Sequence, residues 1–259
     1  MHIELIGCSG AGKSTLINKI LNVCQDNNIE AYTDDQFVLH VAKLNWIRSY
    51  IGRTILVDVI SFFSCLFFFR QNLKLYRLIN DIVRRLPTTV SYMEKVNILR
   101  NTYKKIGSFE IIKRKNLDKQ VILLDEGTLH TAHYLFVQTG FPPAMHYLDR
   151  FLALIPLPDA VIYLQQAENV LIDRTLSRGH KRIQAHSSPM VKKFIEHALC
   201  IFNRIEHEPS VRSKLIIIDE QYQIKQMAGS ENLILQQLLT LIHAVLNPAE
   251  IKQKEVKYA

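Results

Sequence analysis

The chain has 259 residues with 48% hydrophobic side chains, which suits one α/β domain of about 200 residues carrying a large insertion. Its four cysteines stand far apart, with no C-x-x-C pair and no His-Cys cluster. This spacing argues against a disulfide framework and a structural zinc site, so we expect a reducing, cytoplasmic setting. The first residues lead directly into a glycine-rich motif, so we expect no export signal.

The charge is unevenly distributed along the chain. The whole sequence has a net charge of +8, whereas residues 37–119 contain 16 Lys or Arg and 5 Asp or Glu, a net charge of +11. The remainder is mildly acidic, with a net charge of −3. A basic segment of this kind suits the phosphates of a substrate, an anionic membrane or a nucleic acid, and equally a solvated helical face.

Five short apolar runs predict buried parallel strands, because each is rich in Val, Ile or Leu and precedes a turn or a helical pattern. These runs are His2–Ile6, Glu30–Thr33, Gln120–Leu124, Ala160–Leu164 and Leu215–Ile218. Helical patterns lie at Lys13–Asn27, Asn169–Ser177 and Glu231–Leu246. Strands alternating with helices predict a doubly wound, five-stranded parallel sheet flanked by helices, with a ligand crevice at the carboxyl ends of the strands.

A complete phosphate-binding motif follows the first predicted strand and opens the first predicted helix. The segment matches G-x-x-x-x-G-K-[ST] and consists of Gly7, Cys8, Ser9, Gly10, Ala11, Gly12, Lys13, Ser14 and Thr15. Its glycines let backbone N–H groups face an anion, Lys13 adds a positive charge at the β- and γ-phosphates, and the Ser14 hydroxyl is a ligand for Mg²⁺. The motif therefore predicts a P-loop NTPase that binds ATP and Mg²⁺.

Carboxylates follow the second and third predicted strands. Asp125 closes the third strand and is assigned to Mg²⁺ together with Ser14. Alternation along an extended backbone aims Glu126 differently, so we assign it to the acceptor or to an attacking hydroxyl. Asp34 or Asp35, after the second strand, is assigned to the acceptor's hydroxyl group, as its base or to orient it. The alternatives are a surface capping pair for the first two carboxylates and a helix N-cap for the last two.

Basic residues follow the fourth predicted strand. Arg174 and Arg178 stand four residues apart on one helix face. Arg182 lies beyond Gly179, which allows the segment to bend as a closing lid. Guanidinium groups that converge on phosphates stabilise the charge on the transferring oxygens, so we assign the three arginines to catalysis. A solvated helical face is the alternative.

The segment between the second and third predicted strands is too long for a plain crossover. Within it, Ile55–Phe69 is rich in phenylalanine but is shorter than the about 20 residues of a membrane span. Residues 70–85 alternate basic and apolar side chains at helical spacing, which predicts an amphipathic basic helix. We expect residues 37–119 to form a mostly helical lid or acceptor-side subdomain. Contact of residues 55–86 with an anionic membrane, and hence a peripheral membrane location, is the alternative.

Three segments resemble the thymidylate kinase and deoxynucleoside kinase group. They are Gly7–Thr15, Val121–Glu126, and Ala160–Leu164 with the Arg174-x-x-x-Arg178-Gly179 pattern that follows it. The likeness covers residues 1–36 and 120–245, so residues 1–36 and 120–259 are expected to form the kinase core. The resemblance implies a phosphate loop that binds ATP, a carboxylate after the second strand that touches the reacting hydroxyl, and an arginine-bearing lid. Carried over, these roles fall on Lys13, Ser14, Asp34 or Asp35, Arg174, Arg178 and Arg182.

The resemblance implies an ATP-dependent small-molecule kinase whose acceptor is a nucleoside or a nucleoside monophosphate. That group usually has an arginine or a basic pair beside the third-strand carboxylate, where this chain has Glu126 and Gly127. The chain also resembles thymidylate-kinase-like ATPases associated with bacterial surface-polysaccharide synthesis. A sugar or lipid-linked acceptor therefore stays open, as does a regulatory ATPase without an acceptor. We expect a small-molecule acceptor as partner and no nucleic acid, and the sequence leaves a homodimer open.

The order of the motifs argues against an ABC ATPase, and the absence of a guanine-binding motif argues against a GTPase. In an ABC ATPase the signature segment precedes the strand that ends in Asp-Glu, whereas the similar segment 176–180 follows it here. An ABC domain also has a β-subdomain before the phosphate loop, and only six residues precede Gly7. A GTPase is disfavoured because no N-K-x-D motif follows a predicted strand.

Overall fold

The computed structural model describes residues 1–115, 120–179, 183 and 187–218. Within these residues, five strands form an all-parallel sheet in the order β2-β3-β1-β4-β5. The strands are β1 (His2–Ile6), β2 (Glu30–Thr33), β3 (Gln120–Asp125), β4 (Ala160–Leu164) and β5 (Leu215–Ile218). All five predicted strands are confirmed, and β3 ends one residue later than predicted.

Strand β1 lies at the centre of the sheet. Ile3 is opposite Leu123 of β3 and Ala160 of β4, and Leu5 is opposite Asp125. Every residue of β1 and β4 is buried, as expected for parallel strands covered on both faces. The chain leaves this centre in both directions, so the predicted doubly wound P-loop NTPase fold is confirmed, and the carboxyl ends of β1 and β3 are neighbours.

Ten helices connect or flank these strands in the described ranges. They are α1 (Lys13–Asp26), α2 (Asp34–Val41), α3 (Tyr50–Phe67), α4 (Leu73–Arg85), α5 (Tyr92–Lys113), α6 (Thr131–Phe136), α7 (Met145–Leu152), α8 (Glu168–Arg178), α9 (Ser188–Glu206) and α10 (Pro209–Arg212). Helices α1 and α8 match their predictions with ends shifted by one residue. The predicted helix at Glu231–Leu246 lies outside the described residues.

Helix α4 confirms the predicted amphipathic basic helix. Its apolar face is buried in the hydrophobic cluster that also contains residues of β1, β3 and β4, and it contributes Leu75, Tyr76, Leu78, Ile79, Ile82 and Val83. Its exposed face carries Lys74, Arg77, Arg84 and Arg85. Helices within residues 37–115 and the sheet therefore share one core, and the boundaries at residues 36 and 119 stay a prediction.

Helices α3 and α5 pack closely and run parallel. Asp58 forms ion pairs with Arg100 and Lys104, and further along both helices the Ser61 and Ser108 hydroxyls are 2.8 Å apart. A Cβ atom on Gly107 would lie 1.9 Å from the carbonyl oxygen of Ser61. The absence of a side chain at Gly107 is therefore what allows the two backbones to approach.

Candidate active site

The phosphate loop joins β1 to α1 and depends on its glycines. Gly7, Gly10 and Gly12 all have positive φ angles, of 143°, 84° and 100°. At Gly7 a Cβ atom would also lie 2.7 Å from the carbonyl oxygen of Leu164, at the end of β4. An L side chain is therefore excluded there by both conformation and space, and the loop can curl tightly over the central strands.

The concave side of the loop presents positive charge. The Lys13 ammonium is almost fully buried and donates to the Gly7 carbonyl at 2.9 Å and to the Cys8 carbonyl at 3.3 Å. The first N–H group bonded within α1 is that of Leu16, which donates to the Gly12 carbonyl. N–H groups before it, at the positive end of the helix dipole, have no intrahelical acceptor. The loop therefore fits a polyphosphate, with Lys13 already held in place.

A hydroxyl and a carboxylate meet beside the loop. Ser14 Oγ donates to Asp125 Oδ2 at 2.9 Å, although the residues are 111 positions apart. Asp125 Oδ1 is buried and has no hydrogen-bond partner. Burial raises the pKa of Asp125, and the hydrogen bond from Ser14 opposes that rise. A buried carboxylate oxygen without a partner beside a hydroxyl fits a divalent cation.

These two ligands also fit the way that Mg²⁺ is bound. Among the described residues no group of three or more His, Cys, Asp or Glu side chains could hold a metal. Mg²⁺ usually takes only one or two protein ligands and completes its octahedron with phosphates and water. Ser14 and Asp125 therefore suit Mg²⁺ delivered with a nucleotide better than a metal held by protein alone.

Glu126 is directed away from this pair. Its φ angle is +64°, in the left-handed region that non-glycine residues rarely adopt. The extended backbone expected at Glu126 was therefore wrong, because β3 ends at Asp125. Its carboxylate accepts a hydrogen bond from the Tyr134 hydroxyl and lies 3.6 Å from His130 Nε2. Burial lowers the pKa of His130 well below its ordinary value, so the ring is neutral near pH 7. Asp125 and Glu126 therefore occupy different surroundings, and neither caps a helix in the described structure.

Asp34 lies at the carboxyl edge of the sheet, as the first residue of α2. The N-cap is Thr33, which forms a capping box with Gln36, so the alternative of an N-cap at Asp34 or Asp35 was wrong. Asp34 is buried and accepts a hydrogen bond from the Lys105 ammonium at 2.8 Å. The carboxylates of Asp34 and Asp35 point in different directions, because consecutive residues of a helix are rotated by about 100° about its axis.

Asp35 belongs to a different set of charges. It lies 3.4 Å from the ammonium of Lys104, which also pairs with Asp58 at 3.0 Å. Asp34 is consequently the carboxylate of the pair that shares the Lys105 ammonium with the end of β3.

Lys105 is a site residue that the sequence did not reveal. Its ammonium also donates to the backbone carbonyl of Asp125 at 3.1 Å, so one cation touches the ends of both β2 and β3. Interaction with Asp34 raises the pKa of Lys105 against the opposing effect of burial. Lys105 therefore supplies a positive charge beside the third-strand carboxylate. The available signal was the Lys104-Lys105 pair in the second half of α5.

A buried carboxylate supports the turn that follows Glu126. Glu4, in the middle of β1, accepts the N–H groups of Leu129 at 3.2 Å and His130 at 2.8 Å. A Cβ atom on Gly127 would lie 2.6 Å from the Glu4 carboxyl carbon, so a side chain there would displace the buried Glu4 carboxylate. Burial raises the pKa of Glu4 to about 7. Glu4 was assigned only to a strand by the sequence, because an isolated Glu in an apolar run carries no recognisable motif.

The predicted arginines are placed as follows. Arg174 of α8 donates from Nη1 to the Gly10 carbonyl at 2.9 Å, so α8 contacts the phosphate loop directly. Arg178 is exposed at the end of α8, where Gly179 ends the helix with a positive φ angle of 69°. Arg182 lies outside the described residues. The structure thus brings Arg174 to the loop, and the roles of all three arginines stay predictions.

A cavity of about 400 Å³ opens beside the phosphate loop, at the carboxyl end of β4. Its wall is of mixed polarity and includes Cys8, Tyr163, Gln165, Leu171, Asn203 and Glu206. Gln165 Nε2 donates to Glu206 Oε2 at 2.8 Å across this region. Its position next to Cys8 of the loop suits the base or ribose of a nucleotide whose phosphates lie on the loop.

Comparison with known proteins gives matches at the level of structure. No family model matches the chain, and no curated protein matches it. Among similar solved structures are three of deoxyadenosine kinase from M. mycoides, with the products dCMP and a flexible dCDP, with dATP, and with dCTP bound.

The likeness to these structures is long but distant. The first is 15% identical, covers 93% of this chain and 100% of that chain, and has a TM-score of 0.48. The second is 16% identical, covers 92% of this chain and 99% of that chain, and has a TM-score of 0.46. The third is 14% identical, covers 93% of this chain and 100% of that chain, and has a TM-score of 0.43. The assignment of the fold therefore rests on the strand order and the phosphate loop. The similar structures include deoxyadenosine kinases, which belong to the group that the motifs resemble.

Proposed function

We propose that this protein is an ATP-dependent phosphotransferase that moves the γ-phosphoryl group to a hydroxyl or phosphate acceptor, with a nucleoside or nucleoside monophosphate as the first candidate. The observation that carries the proposal is the convergence at one sheet edge of the phosphate loop, the Ser14–Asp125 pair and the Lys105–Asp34 pair. The nucleoside class comes from the resemblance of the motifs.

In this proposal each group has a distinct task. Lys13 and the N–H groups of the loop bind the ATP phosphates, and Ser14 and Asp125 hold Mg²⁺. Mg²⁺, when bound, neutralises charge on the phosphates. Asp34 takes the proton from an acceptor hydroxyl. At the same time the acceptor oxygen bonds to the γ-phosphorus, and the bond between the γ-phosphorus and the ADP oxygen breaks. Lys105 orients Asp34, and the arginines of α8 stabilise charge on the transferring oxygens.

A regulatory ATPase would need Glu126 as the residue that activates water. In the structure the Glu126 carboxylate accepts a hydrogen bond from Tyr134, which competes with such a role. We therefore place transfer to an acceptor before hydrolysis alone.

The test is an acceptor screen with γ-labelled ATP and Mg²⁺. Nucleosides, nucleoside monophosphates, sugars and polyprenol-type lipids are compared with a reaction that contains water as the only acceptor. We expect transfer to one class well above hydrolysis, and Lys13→Ala should lower that transfer by about 10²- to 10⁴-fold in a folded protein. Hydrolysis with no transfer to any class would contradict the proposal, and so would near-normal transfer by Lys13→Ala.

A further inference from the structure

Helix α3 presents an entirely apolar surface to the outside of the protein. The residues on this surface, called here the outer face of α3, are Ile51, Ile55, Val59, Phe62, Phe63, Leu66 and Phe67. They recur at spacings of three and four, so they form one continuous stripe opposite the buried Val57, Ser61 and Cys65. Phe63 is 64% exposed and Phe67 is 81% exposed. An exposed stripe of this size is rare on a protein surface that meets only water.

The opposite side of α3 is fixed to the protein. Asp58 is held by Arg100 and Lys104, and Ser61 contacts Ser108 of α5. By length and composition α3 is the described helix that would be able to cross a membrane, with a mean hydropathy of 1.6 and 17% of its residues buried. Its docking along α5 instead keeps it on the surface, with one face available.

The rim of the outer face carries aromatic residues with polar groups. Trp46 precedes α3 and is 74% exposed, and Tyr50 is the first residue of α3 and is 83% exposed. Tyr92, at the start of α5, is 82% exposed. Trp and Tyr favour the boundary between lipid and water, because their rings are apolar and their N–H or O–H groups stay hydrated. A protein partner of mixed polarity would not require this arrangement.

The charges near the outer face are positive. Residues 43–72 contain four basic residues and only one acidic residue, Asp58, which is already paired. Arg48 and Arg70, which flank the two ends of α3, are exposed and have no ion-pair partner among the described residues. Unpaired cations beside an apolar stripe complement an anionic lipid headgroup layer.

We propose that the outer face of α3 docks on the surface of an anionic lipid bilayer, with the helix parallel to the membrane plane. A second copy of the chain fits less well, because a two-fold contact between outer faces would bring the unpaired cations of each copy towards those of the other. The proposal goes beyond the kinase assignment and does not depend on it.

The docked surface extends past the edge of the sheet that carries the site. Lys105 of α5 lies at that edge beside Asp34, and the following residues of α5 return towards the start of β3. Because a helix rises about 1.5 Å per residue, Tyr92 lies about 20 Å along the axis from Lys105. Helix α3 runs parallel to α5, so its first turns lie beyond the sheet at this same edge. A bilayer on this face would lie close to the acceptor side.

Trp46 gives a direct test, because it is the only tryptophan of the 259 residues and is exposed. The purified full chain is mixed with phosphatidylcholine vesicles that contain or lack phosphatidylglycerol, and its emission is recorded. We expect a shift to shorter wavelength and quenching by brominated phosphatidylcholine with the anionic vesicles. Both effects should weaken as salt is added, because the Debye length falls from about 10 Å at 0.1 M to about 3 Å at 1 M.

Two variants, each with a control elsewhere on the surface, test whether the outer face of α3 and the cations beside it are responsible for vesicle binding. Phe63→Ser combined with Phe67→Ser should weaken vesicle binding by at least about tenfold, since two exposed aromatic side chains no longer enter the bilayer. Leu154→Ser, at another exposed apolar position, is the matched control and should bind like the unmodified chain. Arg48→Glu should weaken binding, whereas Lys192→Glu, on the exposed surface of α9, should not. Circular dichroism checks that each variant is folded.

Three outcomes would count against the proposal. Absence of bromine quenching with both kinds of vesicle at low salt would overturn it. Equal loss of binding in the control variants would also overturn it, because the outer face would then have no special part. A dimer that forms in solution, hides the outer face and dissociates in the Phe63→Ser, Phe67→Ser variant would assign the face to a second copy.

Discussion

At the residue scale, the Lys105–Asp34 pair gives a test that separates structure from catalysis. Lys105→Met leaves the buried Asp34 carboxylate without its cation and should lower the free energy of unfolding by about 3–5 kcal/mol. Asp34→Asn with Lys105→Met removes both charges and should regain most of that stability. Transfer should stay about 10²- to 10⁴-fold below normal, because the proposed base is absent. Urea denaturation and the acceptor assay measure the two effects.

Lys104→Met is the control for that cycle. Its partner Asp58 keeps Arg100, and Asp35 is partly exposed, so we expect a loss of only about 1 kcal/mol. If the double variant regains transfer as well as stability, Asp34 is not the base.

Glu4 should make stability fall as the pH rises. Burial raises the pKa of Glu4 from 4.5 to about 7 in the folded protein, whereas the unfolded chain keeps the ordinary value. The folded state therefore binds the proton more tightly, and its advantage is lost between about pH 4.5 and pH 7. The expected loss is on the order of 3 kcal/mol, constant above that range. Glu4→Gln does not titrate, so the difference between the two unfolding curves against pH isolates the effect; parallel curves would contradict it.

At the element scale, two glycines allow a matched test of the α3–α5 contact. Gly107→Ala places a methyl group against the Ser61 carbonyl and forces the helices apart, so we expect destabilisation of about 3 kcal/mol. Gly52→Ala, within α3, meets only ordinary contacts at 3.5 Å or more and should stabilise the protein by about 0.5–1 kcal/mol through helix propensity. Thermal and urea unfolding of the two variants should therefore shift in opposite directions. Equal shifts would show that the contact is loose.

Helix α8 is expected to act on the transition state more than on the binding of ATP. Arg174 reaches the Gly10 carbonyl of the phosphate loop, and Arg178 is exposed at the end of α8. In the proposed mechanism both guanidinium groups meet the phosphates when the site closes. Alanine at either position should lower kcat about tenfold or more while changing the KM for ATP less. Steady-state kinetics at varied ATP give both values. A change in KM alone would show that these residues only hold the nucleotide.

At the scale of the whole molecule, the insert helices and the sheet should unfold together. Leu75 and Ile79 of α4 are buried in the cluster that contains the central strands. Replacing either with Ala costs about 2–4 kcal/mol and should lower the single Tm seen by calorimetry by about 5–10 °C. Lys74→Ala, on the exposed side of α4, is the control and should leave Tm almost unchanged. Two transitions, only one of which moves, would establish a separate subdomain.

The sequence by itself determined the five strands, helices α1 and α8, and the phosphate loop. These features follow local rules. A buried parallel strand reads as a short apolar run, and a loop with positive φ angles at Gly7, Gly10 and Gly12 requires glycine at those positions. The position of Asp125 near the phosphate loop also followed from its place at the end of a strand, because adjacent parallel strands bring their carboxyl ends together.

Only the tertiary structure decided which distant side chains meet. Lys105 and Asp34 are 71 residues apart, and Glu4 is 126 residues from His130, whose N–H group donates to its carboxylate. Neither contact can be predicted from a local sequence pattern, because the two partners are so far apart in the chain. The same reason applies to α3, whose composition allows a buried helix or an exposed one. Burial of one face against α5 left the other face in contact with the surroundings. The polar residues Asp58 and Ser61 of α3 contact α5, so the polar side chains of this helix do not mark the side that faces outward.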